Sequence, residues 1–157
     1  MSPAIREAAR AVVLDDRDRI VLVHWVNEDN AVDLWLTPGG GVDDGEDREA
    51  ALRRELREEL GLEEFEPGPV IWTRRHRFPW YDRVVEQREE FVLVRVRPFE
   101  LRPEPEALDA EGVREARWWT LTELEHSTEA FAPMRIADLL RELLASGPPP
   151  DPIDAGV

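Results

Sequence analysis

Gly40-Gly-Val-Asp-Asp-Gly-Glu46-Asp-Arg-Glu-Ala-Ala-Leu52-Arg-Arg54-Glu55-Leu56-Arg-Glu58-Glu59-Leu60-Gly61-Leu62 decides how this chain is read. Asp47 to Leu60 predicts a helix, because Leu52, Leu56 and Leu60 recur at i, i+4 and i+8 on one face. Acidic residues crowd its start, and Gly61 stands where a C′ glycine ends a helix. The leucine stripe sets the helix against a core and leaves Glu55, Glu58 and Glu59, at i, i+3 and i+4, together at the edge of that packed surface. Like charges at this spacing repel by a few tenths of a kcal/mol per pair. A helix that needed only solubility would intersperse arginine, whereas a divalent cation turns the repulsion into coordination. The plain alternative is a solvated acidic face in an acidic protein. The glycine-rich turn ahead of the helix adds free backbone carbonyls and N–H groups. Glu46 lies eight residues before Arg54, about 12 Å along a straight helix. From a loop it folds back to pair with Arg54 and aim the carboxylates.

Outward from this helix, short apolar runs alternate with turn signals. Ala8 to Leu14 and Ile20 to Val26, separated by Asp15-Asp16-Arg17-Asp18, read as a β-hairpin. Asn27 to Asp33 is a polar loop, and Leu34-Trp35-Leu36 a short strand that runs into the turn Pro38-Gly39-Gly40-Gly41. After Pro67-Gly68-Pro69, Val70 to Phe78 and Val84 to Val96 read as strands about the turn Pro79-Trp80-Tyr81-Asp82. Pro98 to Ala110 is a loop rich in proline and glutamate, and Ala116 to Thr120 a last strand. Thr122 opens a short helix, and Pro133 to Ala145 a second one with proline near its first position. One domain is expected over residues 1–146. Residues 147–157, opening on Gly147-Pro148-Pro149-Pro150, are expected as a disordered tail. Strands on both sides of the first helix, with further helices at the C-terminus, predict an α/β or α+β domain.

At 157 residues the chain is one domain long, and a domain of that size buries about 70% of its unfolded surface without a staple. It has no cysteine, which excludes thiol nucleophiles, disulfides and cysteine-ligated zinc. It has no lysine, which excludes Schiff-base chemistry and a P-loop. Its serines stand in no nucleophile elbow and its three histidines at no H-E-x-x-H spacing. Carboxylate and guanidinium remain, and a sulfur-free carboxylate set suits a hard cation such as Mg²⁺. The formal net charge of −15 argues against DNA and membrane surfaces, both anionic. Met1 to Arg10 carries Arg6, Glu7 and Arg10 where a signal peptide would be apolar, which predicts a cytoplasmic, soluble protein.

Gly40 to Leu62 resembles the Nudix box, written G-x5-E-x7-R-E-U-x-E-E-x-G-U with U apolar. Gly40, Glu46, Arg54, Glu55, Leu56, Glu58, Glu59, Gly61 and Leu62 each occupy a specified position. Trp35-Leu-Thr-Pro-Gly-Gly resembles the family's approach to the box, while Asp43 departs from a frequent glutamate. The resemblance implies an α/β fold, an α/β/α sandwich around a mixed central sheet, with the box as loop–helix–loop. It implies metal-dependent hydrolysis of a nucleoside diphosphate linked to another group. Carried over, Glu55, Glu58, Glu59 and the Gly40 carbonyl resemble the ligands of Mg²⁺ or Mn²⁺, and Glu46 and Arg54 the pair that supports them. The substrate implied is a small nucleotide: a nucleoside triphosphate, a nucleotide sugar, ADP-ribose, a dinucleotide cofactor or a dinucleoside polyphosphate. Homodimers are common in this fold. The rival reading is a catalytically silent nucleotide-binding module.

A further carboxylate often serves this family from outside the box. Glu111 is the favoured candidate, with Glu115, Glu89 and Glu90 behind it. Residues 72–97 carry seven arginines against four acids, interleaved with aromatics. Arginine grips phosphate bidentately and aromatic rings stack on bases, so Arg75, Arg77 and Trp80 are candidate substrate contacts. The plain alternative is core aromatics alternating with arginines paired to the acidic surface. His24 reads as a strand-end histidine, His126 as a surface one, and Trp118-Trp119 as core plus one exposed ring.

Overall fold

The computed structural model describes residues 3–80, 82–106 and 112–156. Strands β1 (Ala4–Leu14), β2 (Ile20–Asn27), β3 (Val32–Leu36) and β4 (Gly39–Gly41) precede helix α1 (Arg48–Leu60). Then come β5 (Val70–Trp80), β6 (Arg83–Arg95), β7 (Val113–Trp119), α2 (Leu121–His126), β8 (Phe131–Ala132), α3 (Ile136–Ser146) and β9 (Ile153–Asp154). The sheet runs β8-β3-β2-β1-β6-β5-β9, with β4 also paired to β1 and β7 to β2. It is mixed: β1 and β6 are parallel from Ala4↔Val85 to Leu14↔Arg95, and β5–β6 is antiparallel.

The two faces of β1 are legible in its alternation. Val12 and Leu14 join Ile20, Leu22, Trp72, Phe91 and Trp119 under α3, whose Ile136, Leu139, Leu140 and Leu143 close that core. Ala9, Ala11 and Val13 face the other way, under Leu52, Leu56 and Leu60 of α1. Those three leucines are fully buried. Each burial stabilises by about 2 kcal/mol, which fixes the helix in rotation. The result is a sheet between helices, the sandwich that the resemblance implied.

One feature of the sheet positions the box. Strand β1 changes partner along its length: Leu14 pairs with Ile20 of β2, whereas Ala8 to Arg10 pair with Gly41 to Gly39 of β4. The approach is so close that a Cβ on Gly39 would stand 2.1 Å from the Ala9 carbonyl oxygen. Only glycine permits this, and its φ of +135° also requires glycine.

Several boundaries differ from the sequence reading. Strand β5 runs on through Pro79 and Trp80, which had read as a turn. Proline is tolerated there because β9 pairs only with Trp72 and Thr73, leaving that stretch of β5 an edge. Helix α3 starts at Ile136, and Pro133 lies ahead of it. The 147–157 segment is the largest correction. It returns to the sheet as β9, Ala155 is fully buried in the α3-side core, and its N–H donates to the Thr73 carbonyl at 2.7 Å. Proline-rich sequence cannot build a core, but the open edge of β5 offers unpaired backbone groups to any short strand. Truncation after Ser146 is therefore expected to destabilise by about 2–3 kcal/mol, counting the lost apolar burial and hydrogen bonds. A melting temperature lower by roughly 5–10 °C checks it, and an unchanged one contradicts it.

Candidate active site

Helix α1 is capped at both ends by its own sequence. Asp47 accepts the Ala50 N–H at 2.8 Å, and Gly61, with φ of +74°, donates to the Arg57 and Leu56 carbonyls. The helix starts one residue later than expected, so Glu46 lies in the loop. There it meets Arg54 through a two-pronged contact, Nε to Oε2 at 2.9 Å and Nη2 to Oε1 at 3.0 Å. Fork-to-fork pairing of this kind is strong and directional. Arg54 also donates to Glu55 Oε1 at 2.9 Å and to the Gly41 carbonyl at 3.2 Å, and lies 3.8 Å from Glu58 Oε2. One guanidinium thus joins loop, turn and helix.

The three helix carboxylates do not share one environment. Glu55 and Glu59 are buried, while Glu58 is about one-fifth exposed. Glu59 Oε1 accepts the Gly39 N–H at 2.8 Å. Glu55 Oε2 is buried without a hydrogen-bond partner. A buried carboxylate oxygen left unmatched is costly, so it marks a place where a cation fits. Gly40 adds to this: a Cβ there would lie 2.5 Å from Glu55 Oε1, so a larger residue would push that carboxylate aside. Burial first, then the charge of Glu55, pushes the Glu58 carboxyl above its ordinary value. Among the described residues no group of three His, Asp or Glu side chains stands so that it could already hold a metal ion. An oxygen-only, partly open donor set nevertheless suits Mg²⁺, which keeps much of its water.

The remaining candidates separate by strand alternation. Arg75 and Arg77 lie on an exposed side of β5 against Glu86, at 3.9 and 3.1 Å. Arg74 and His76 lie on the opposite side, where Arg74 Nη1 meets Glu89 Oε1 at 2.5 Å and His76 Nε2 stands 3.6 Å from the same oxygen. Trp80 belongs to β5, but its side chain and all of Glu111 lie outside the described residues. Glu89 is not a free base. Burial pushes its carboxyl up, but Arg10 and Arg74 outweigh that and hold it at about 2. Glu90 pairs with Arg48, and Glu115 is exposed on β7. His24 contacts Asp33 at 2.6 Å and stacks on Trp35, and the His126 ring meets the Thr122 carbonyl at 2.8 Å. Trp119 is core, and Trp118 donates to the Phe99 carbonyl.

The sequence reading missed Arg10. Its Nε donates to Glu89 at 2.6 Å, and its Nη1 to the Gly39 and Thr37 carbonyls at 3.1 and 3.4 Å. The signal was present: a lone arginine between Ala9 and Ala11 inside the otherwise apolar run Ala8 to Leu14.

Two of these carboxylates make stability pH-dependent. The Arg54 hydrogen bond, then the Asp43 N–H, hold Glu46 at about 2, and Glu89 sits at about 2 as well. Both folded values lie below the ordinary 4.5. The stabilisation is thus present above pH 4.5 and lost as pH falls towards 2. For buried Glu89 a shift of this size is worth about 3 kcal/mol. Urea unfolding at pH 7, 4 and 3 should show stability falling across that window, and a flat profile would refute the pairing.

A family model described as the NUDIX domain matches residues 4–142. The RNA pyrophosphohydrolase of Ectopseudomonas mendocina (strain ymp) is 35% identical over 81 residues, covering 50% of this chain and 48% of that protein. The chain thus spans about half the length of the curated relative it matches. The crystal structure of the MutT NUDIX hydrolase from Burkholderia pseudomallei superposes with a TM-score of 0.61 at 25% identity, covering 88% of this chain and 98% of that one. The solution structure of the E. coli ORF135 protein does so at 0.60 and 25%, covering 95% and 96%. No helix among the described residues is long and apolar enough to cross a membrane. A match over residues 4–142, on a fold whose sheet, box loop and carboxylate helix stand as the motif requires, means that this chain belongs to the NUDIX family.

Proposed function

We propose that the chain is a divalent-metal-dependent hydrolase that cleaves the pyrophosphate bond of a nucleoside diphosphate linked to another moiety. The observation that carries this reading is the buried, partnerless Oε2 of the Glu55 carboxylate, whose other oxygen lies against Gly40 and accepts from Arg54. Glu55, Glu58, Glu59 and the Gly40 carbonyl would hold Mg²⁺ or Mn²⁺. When bound, such an ion supplies charge neutralisation at the pyrophosphate oxygens and acidifies a water nucleophile. The chain's own residues do the aiming. Arg54 locks Glu46 to the helix and orients Glu55, and the Gly39 N–H orients Glu59. Glu111 is the proposed base, since Glu89 is committed to Arg10 and Arg74. Arg75, Arg77 and Trp80 are proposed to grip substrate, the two arginines exchanging Glu86 for phosphate.

The substrate class is a small nucleotide in the cytoplasm, and a homodimer is compatible with it; no DNA or membrane surface is involved. The relative named an RNA pyrophosphohydrolase adds RNA to the candidates. The deciding experiment is a panel of nucleoside triphosphates, nucleotide sugars, ADP-ribose, dinucleotides and RNA. Released phosphate, pyrophosphate or monophosphate is measured with Mg²⁺, with Mn²⁺ and with EDTA. Metal-dependent turnover of at least one substrate supports hydrolysis. Nucleotide binding without turnover of any of them would leave the silent module instead.

A further inference from the structure

We propose that Arg10 is a positioning residue, which ties Glu89 of β6 to the Thr37 and Gly39 carbonyls and so fixes the backbone that holds Glu59. The inference rests on the reading above, in which Glu59 holds metal. Arg10 projects from β1 with only 13% of its side chain exposed, and its partner Glu89 with 1%. A buried guanidinium is tolerated only when its donors are matched. Here the matching is divided: Nε serves Glu89 at 2.6 Å, and Nη1 serves the Gly39 carbonyl at 3.1 Å and the Thr37 carbonyl at 3.4 Å. Glu89 cannot swing, because Arg74 takes its second oxygen at 2.5 Å.

Gly39 cannot shift either. It stands opposite Arg10 in the β1–β4 register, packed against the Ala9 carbonyl. Its carbonyl receives Arg10 and its N–H donates to Glu59 Oε1 at 2.8 Å. A continuous path therefore runs Arg74, Glu89, Arg10, Gly39, Glu59, and the next residue after Gly39 is Gly40. Lysine would keep the charge for Glu89 but has no planar fork to reach both carboxylate and turn. Groups that orient a ligand without touching the metal typically change affinity or activity 10- to 100-fold.

The test is a cycle of Arg10→Lys, Glu59→Gln and the double variant. Mn²⁺ affinity is measured on the substrate-free protein by electron paramagnetic resonance. kcat and KM are measured on the best substrate, and a thermal melt is run beside them. Arg10→Lys is expected to weaken Mn²⁺ binding about tenfold and lower kcat about 10- to 100-fold, with KM within about twofold. In the Glu59→Gln background it should change kcat less than about twofold, because both act through one contact. A folded Arg10→Lys protein with normal Mn²⁺ affinity and kcat overturns the proposal. Fully multiplicative effects in the double variant overturn it too. Glu59→Gln with wild-type Mn²⁺ affinity overturns the metal reading itself, and this inference with it. Should Arg10→Lys not fold, Glu89→Asp replaces it, since that keeps the charge and draws Arg10 back by one methylene. It should weaken Mn²⁺ binding in the same non-additive way, and unchanged affinity overturns the proposal.

Discussion

Glu58→Gln and Glu59→Gln are each expected to lower kcat by about 10²–10³-fold while leaving the fold intact. Each substitution keeps the side-chain shape and removes one negative charge from the face that Glu55, Glu58 and Glu59 build. Loss of one preorganised electrostatic contact at a reacting centre typically costs about 3–4 kcal/mol of barrier, which is this fold-change. Stability should move the other way or not at all, because a member of a repelling cluster has been neutralised. Arg54→Ala should fall between these variants and wild type in kcat. It removes five contacts, to Asp43, Glu46, Glu55, Glu58 and Gly41, without removing a carboxylate. Steady-state kinetics at saturating metal decide. Near-normal kcat in both glutamine variants would contradict the assignment although the motif matches at every position.

Gly39→Ala is expected to be the most damaging single substitution for folding. A φ of +135° is closed to residues with a side chain and costs on the order of 1–3 kcal/mol. The new Cβ would also lie 2.1 Å from the Ala9 oxygen and 2.7 Å from the Arg10 Cα, both backbone atoms that cannot step aside. Together these should exceed about 3 kcal/mol, or roughly 10 °C of melting temperature, and part β4 from β1. Gly45→Ala is the control: its φ is also positive, at +80°, but nothing lies within 4 Å of the added Cβ. It should cost only about 1–2 kcal/mol. Thermal melts of the two proteins check the difference, and equal losses would show that the β1–β4 approach does not matter.

How much of this could be read from the residues depends on the range of the interaction. The helix, its leucine face, Gly61 at its end and the fold-back of Glu46 onto Arg54 are local, and periodicity and spacing carried them. The separation of Glu55 and Glu59 from Glu58 by burial was not legible, because it depends on how β4 and β1 meet the helix. Arg74 and Arg75 look alike in sequence, yet strand alternation buries Arg74 against Glu89 on one face and leaves Arg75 exposed beside Glu86 on the other. That outcome needs the register with β6, which no single segment encodes. Arg10 was overlooked inside an apolar run because its partners, Glu89 and the Gly39 carbonyl, are 79 and 29 residues away. The C-terminal segment misled for the opposite reason. Composition predicts whether a segment can form its own core, and Ile153 to Ala155 had only to join an existing one.

In the proposed function the box helix and its glycine turn hold a divalent cation for nucleotide hydrolysis. Calorimetric titration of Mn²⁺ into the protein, with and without a non-hydrolysable nucleotide, tests it most directly. Weak binding alone and tighter binding with nucleotide are predicted, because phosphate oxygens complete the coordination that a short set of carboxylates leaves open. Absence of Mn²⁺ binding in both conditions would contradict the account.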